Sequence, residues 1–76
     1  MKTKITLMGP LNKYFNGTKT KKITLSSHAT IEDLLKKIGL PREYVSIVAV
    51  NGAKVSLDDS LQNEDEVVIY PPVSGG

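Results

Sequence analysis

Over the first positions of the chain, polar and apolar residues alternate: Lys2-Thr3-Lys4-Ile5-Thr6-Leu7-Met8. A period of two predicts a half-buried strand over residues 2–8, with Ile5 and Leu7 turned to a core. Gly9-Pro10 breaks it. Residues 11–20 carry Tyr14, Phe15 and the turn signal Asn16-Gly17, and read as a loop that lays its apolar side chains on the core. A second strand is predicted over residues 21–25, with Ile23 and Leu25 inward. The two strands form an antiparallel hairpin whose connection is longer than the tight turns.

The period then changes. Ile31, Leu34, Leu35 and Ile38 stand at i, i+3, i+4 and i+7, one apolar stripe of a helix. Thr30 is placed as its N-cap, and Glu32 and Asp33 put negative charge in the first turn, where the helix dipole favours it. Lys36 and Lys37 occupy the last turn, Gly39 the capping position, and Pro41 the stretch beyond. No other element is as fully specified.

Residues 44–50 are apolar on both faces, which predicts a third strand in an interior or doubly covered position. Asn51-Gly52 is the strongest short hairpin signal and leads into a brief strand around residues 53–55. Leu57 and Leu61 flank an acidic turn and plug the end of the core. A last strand over residues 66–70 runs into Tyr70-Pro71-Pro72-Val73-Ser74-Gly75-Gly76. Two strands, one helix and further strands predict an α+β fold, a mixed sheet of four to five strands with one main helix across one face. Ile5, Leu7, Ile23, Leu25, Ile47 and Ile69 are expected to meet the helix. Residues 1–70 would be the domain and 71–76 a flexible tail.

With 76 residues, a chain of this size buries only about 60% of its unfolded surface and has little room for a deep enzyme pocket. It contains no cysteine, so disulfides, thiolate metal sites and a thiol nucleophile within the chain are excluded. No apolar run approaches the roughly 20 residues of a membrane span, and no secretory pattern opens the sequence; a cytoplasmic protein without membrane contact is expected. The net charge is +2. Lys19, Lys21 and Lys22 cluster, but aromatics do not interleave with them and Asp58, Asp59, Glu64, Asp65 and Glu66 offset them. That favours a solvated lysine edge and no nucleic-acid partner.

Candidate chemistry concentrates in the tail. Glycine has no Cβ and enters channels closed to other residues, while Pro71 and Pro72 lock φ and keep the approach extended. The terminal carboxylate has a pKa near roughly 3.5 and is a poor electrophile until activated, for example as an acyl-adenylate made from ATP. A second protein with a nucleotide site is therefore implied. Ser74 has no nearby base and is not a nucleophile. His28, the single histidine, reads as a surface residue. Asp58 and Asp59 suit an Asx turn or helix cap better than a metal site, and no metal is expected.

The order β-β-α-β-β-β with a terminal Gly-Gly resembles the ubiquitin-like β-grasp fold and, within it, the ThiS/MoaD family of sulfur carriers. Val50-Asn51-Gly52, Leu61-Gln62-Asn63-Glu64-Asp65-Glu66-Val67 and above all the Tyr70-to-Gly76 tail carry the likeness. The family often has Gly-Asp where this chain has Glu64-Asp65, a departure that touches a turn and not the chemistry. The resemblance implies a co-substrate or small subunit and not a free-standing enzyme. A ubiquitin-activating-type adenylyltransferase would use MgATP to adenylate Gly76, and a persulfide sulfur donor would convert it to a thiocarboxylate. Gly75, Ser74, Val73 and Pro72 would bind the partner's channel, with no cofactor held by the chain itself. The tail looks most like that of the molybdopterin synthase small subunit, whose partner is the large subunit, by analogy in a heterotetramer. A carrier serving thiazole synthase in thiamine synthesis and a ubiquitin-like modifier are the alternatives. Docking on such partners calls for an apolar patch beside the tail; Val48, Val68 and Tyr70 are candidates if they lie on the sheet face away from the helix, the alternative being that they pack against the long loop bearing Leu11, Tyr14 and Phe15.

Overall fold

The computed structural model describes residues 1–72. Strand β1 (Lys2–Leu7) pairs antiparallel with β2 (Thr20–Thr24), placing Lys4 opposite Lys22 and Ile5 opposite Lys21. Helix α1 (Ile31–Ile38) crosses to the other half, where β3 (Ile47–Val50) and β4 (Ala53–Val55) form a hairpin. Strand β5 (Glu66–Tyr70) closes the sheet between them, parallel to β1 and antiparallel to β3. The sheet order is β2-β1-β5-β3-β4, so the chain ends its last strand in the middle of a mixed five-stranded sheet.

Helix α1 begins where its caps require. The Thr30 hydroxyl accepts from the Asp33 N–H at 3.2 Å, and the Asp33 carboxylate accepts from the Thr30 N–H at 2.9 Å, a reciprocal capping box. Two further N–H groups of the first turn, those of Ile31 and Glu32, donate to the carbonyls of Asp59 and Leu57 at 3.1 and 3.0 Å. The 56–61 loop thus satisfies donors that every helix start leaves without a partner. The loop is held by the Asp59 carboxylate, which reaches back to accept from the Ser56 N–H at 2.8 Å, a cap-type bond and not an Asx turn. At the other end Gly39 caps the helix, donating to the Leu35 and Lys36 carbonyls.

Ile31, Leu34 and Leu35 are buried under the sheet, against Ile5, Leu7, Val67 and Ile69, all four without exposure. Each such side chain contributes about 1.5–3 kcal/mol of transfer free energy. Thr3 is the one buried polar residue among the described residues, and its hydroxyl donates to the Ile23 carbonyl at 3.3 Å, which makes the burial tolerable.

Three expectations change. Residues 9–15 are not an irregular loop: Gly9–Phe15 form a 3-10 helix that buries Leu11 and Phe15. Strand β3 starts only at Ile47, because Arg42–Tyr44 form a short 3-10 turn. Its register also turns the other side to the helix. Val48 lies opposite Ile69 and is buried, while Ile47 lies opposite Tyr70 on the outer face and is 41% exposed. In a run where every residue is apolar, alternation cannot say which set points inward, and a shift of one residue exchanges the faces. Ile23, on the edge strand, is only half-buried.

The turn before β5 holds Glu64-Asp65, where the resemblance implies Gly-Asp. Glu64 has φ +72°, the left-handed region that favours glycine. Its N–H donates to the Lys2 carbonyl at 2.7 Å, and the Asn63 side chain accepts from the Lys2 N–H at 2.8 Å. Asp65 ties this turn to the β3–β4 hairpin by accepting from the Asn51 side-chain amide at 2.9 Å. Asn51 and Gly52 both have positive φ, +51° and +86°, the pairing of turn and sequence expected for a two-residue hairpin loop.

Candidate functional site

The tail leaves the sheet from a clamped position. The Ile69 carbonyl accepts from the Met8 N–H at 3.0 Å on one side, and the Tyr70 carbonyl accepts from the Ser46 N–H at 2.8 Å on the other. Strand β5 is therefore held by both neighbours up to its last residue. Gly9 then lets the chain pass closely. Its φ is +57°, and a Cβ built there would stand 3.4 Å from Pro71 Cγ. A side chain at this position would touch the first tail residue at van der Waals distance and would be strained by the positive φ.

Two apolar hollows flank Pro71 and Pro72. One, of about 260 Å³, is walled by Pro10, Leu11, Tyr14 and Tyr44, with Lys13 at its side. The other lies on the outer face between Met8, Gly9, Ile47 and Tyr70. Among the described residues Tyr44, Ile47 and Tyr70 are the exposed large hydrophobics, at 50%, 41% and 39%, and all three border these hollows. The patch expected beside the tail is present, with one member corrected: Val48 is buried against the helix, and Ile47 takes its place beside Val68 and Tyr70. Reading residues 44–50 as one strand concealed Tyr44, and reading Gly9-Pro10 only as a strand breaker concealed their role at the tail root.

Pro72, expected to bind a partner's channel, is exposed at the end of this shelf. Val73, Ser74, Gly75 and Gly76, on which the remaining site expectations rest, lie outside the described residues. His28 is exposed, in a turn with φ +69°, away from the tail. Among the described residues no group of three His, Asp or Glu side chains could hold a metal ion, and no helix is long and apolar enough to cross a membrane. At Asp33, hydrogen bonds from the Thr30 N–H, then from its hydroxyl, hold the carboxyl below its ordinary value. That is helix capping and lies far from any chemistry.

A five-stranded mixed sheet grasping one main helix, with the last strand feeding a Pro-Pro…Gly-Gly tail from its centre, defines a β-grasp protein of the carrier and modifier type. The ThiS family model matches residues 5–76, and the chain belongs to that family. No curated protein matches the chain. Solved structures share the fold. SAMP1 from Haloferax volcanii is 24% identical with a TM-score of 0.80, each chain covered completely. A putative molybdopterin converting factor subunit 1 from Pyrococcus furiosus is 26% identical over 96% of this chain and 99% of that one, TM-score 0.76. A complex of subunits 1 and 2 of the molybdopterin-converting factor from Helicobacter pylori contains a chain 22% identical, covered completely both ways, TM-score 0.60.

Proposed function

We propose that the chain is a sulfur carrier whose working group is the Gly76 carboxylate, and that it serves as the small subunit of a molybdopterin synthase. The observation that carries this reading is the tail root. Strand β5 is hydrogen-bonded on both sides to its last residue, and the stiff Pro71-Pro72 pair emerges between two apolar hollows. Such a root aims a slim terminus into a partner and offers that partner a shelf to sit on.

The chemistry follows from the carboxylate. An adenylyltransferase of the ubiquitin-activating type transfers AMP from MgATP to Gly76 and releases pyrophosphate. A persulfide on a donor protein attacks the acyl carbon and expels AMP, leaving an acyl disulfide. A second thiol then cleaves the S–S bond, forming a disulfide with the donor sulfur and freeing the Gly76 thiocarboxylate. That group stays nucleophilic at neutral pH. Pro72, Val73, Ser74 and Gly75 line the partner's channel on the way in, and the chain itself holds neither ATP nor Mg. The large synthase subunit would receive the sulfur, and the Helicobacter complex of the two subunits supports that pairing.

The likeness to SAMP1 favours a second reading, a modifier whose Gly76 ends in an isopeptide bond to lysine. Intact mass after incubation with an activating enzyme, MgATP and a persulfide donor separates the two. Exchange of one oxygen for one sulfur, absent when Gly76 is deleted, supports the carrier. An adenylate that forms but takes no sulfur and goes on to lysine conjugates supports the modifier. No ATP-dependent change at all would defeat both.

A further inference from the structure

Every carboxylate side chain of this protein lies beyond residue 31, whereas residues 1–31 hold six lysines and no acid. Those residues build β1, the 3-10 helix and β2, which together form one end of the sheet with β2 at its edge. All six lysines are exposed. Both ion pairs of the described residues involve Glu32 instead, with Lys36 and Arg42.

The six are not equivalent. Lys2, Lys4 and Lys22 share a small hollow with Glu64, and Lys4 stands beside Glu66 in the sheet register, so that end is partly balanced. Among the described residues Lys13, Lys19 and Lys21 form no ion pair. Lys13 lines the same hollow as Pro71 and Pro72. Lys19 accepts from the Leu7 N–H at 2.9 Å, level with Ile69, one residue before the end of the clamped strand. Lys21 follows along the edge. The Lys13 and Lys21 ammonium groups lie 5.7 and 5.8 Å from the Tyr14 and Phe15 rings, close enough to be positioned but not neutralised. A blunted sheet edge accounts for charges on β2, but mixed signs would blunt it equally well. The complete absence of carboxylates is a separate property.

We infer that Lys13, Lys19 and Lys21 form an electrostatic docking stripe for an acidic protein surface beside the channel that takes the tail. The inference rests on the activation of Gly76 proposed above and adds the character of the partner. A protein is favoured over a nucleic acid because Lys13 shares its hollow with the exposed Tyr44 and with Pro71 and Pro72 at the tail root. Of the two aromatics beside the stripe, Phe15 is buried, and Tyr14 is half-buried against the core with one side in the apolar hollow of Pro71 and Pro72.

The test compares two charge-matched double variants, Lys13→Glu/Lys19→Glu and Lys37→Glu/Lys54→Glu, in ATP–pyrophosphate exchange with an activating enzyme that accepts the wild-type tail. At low salt the first should raise KM about tenfold with kcat little changed, the difference shrinking as salt rises, while the second stays within about twofold. Lys13→Gln/Lys19→Gln, which removes charge without reversing it, should raise KM about threefold and serves if the reversal disturbs folding. Equal KM values for the matched doubles, or a difference indifferent to salt, overturn the stripe while leaving the tail reading intact. A wild-type tail that no activating enzyme accepts overturns both. Salt-steep binding of a random-sequence oligonucleotide, lost in Lys13→Glu/Lys19→Glu with activation unchanged, assigns the stripe to nucleic acid instead.

Discussion

Replacing Glu64 by glycine should stabilise this protein. Glu64 sits at φ +72°, where an L-residue with a Cβ carries a penalty of roughly 1–2 kcal/mol. Glycine removes it but enters folding from a freer unfolded chain, which returns about 0.4–1 kcal/mol. The hydrogen bonds of the turn are unaffected, because the donor to Lys2 is the backbone N–H of residue 64. Glu64 also borders Lys2, Lys4 and Lys22, and losing its exposed charge costs at most a few tenths of a kcal/mol. Glu64→Ala isolates that loss, since alanine keeps the Cβ and the strain. Glycine should therefore exceed alanine by about 0.5–1 kcal/mol, raising Tm by about 3–6 °C at this chain length. Thermal and urea unfolding of the three proteins, followed by circular dichroism, measure it. Glycine equal to or below alanine would show that the turn is not strained and refute the reasoning.

Truncating Leu34 to alanine empties a fully buried site between helix and sheet and should cost about 2–5 kcal/mol in urea unfolding, a large share of the total for a domain of this size. The capping carboxylate gives a pH dependence: folding holds Asp33 below its ordinary value of 3.8, so its contribution is complete above that pH and fades as pH falls through the lowered folded value. Asp33→Asn should flatten that part of the stability–pH curve, and an unchanged curve would count against the capping box. At the tail root, Gly9→Ala and Gly17→Ala share a left-handed backbone, at φ +57° and +88°, but only the first places a Cβ against Pro71. Both should lose about 1–2 kcal/mol, while the Pro71 carbon resonances should move in Gly9→Ala alone.

Local pattern determined much of this protein. The 2-to-3.6 change of period, Thr30 and Gly39 at the helix ends, Asn51-Gly52, and the bounds of β5 are all properties of short stretches, and the fold class follows because a striped helix needs a sheet face to cover it. The tail residues that define the proposed chemistry are likewise legible, since two prolines and two glycines restrict and free the backbone by their own covalent structure. Tertiary structure decided what local pattern leaves degenerate. In residues 47–50 all side chains are apolar, so only pairing with β5 could put Val48 inside and Ile47 outside. Residues 9–15 have no clear period, and their 3-10 helix exists because Leu11 and Phe15 find the core. The apolar shelf at the tail root joins Gly9, Tyr44, Ile47 and Tyr70, separated by up to 61 positions in the sequence. No local rule brings such residues together; the parallel pairing of β1 with β5 and the antiparallel pairing of β3 with β5 do.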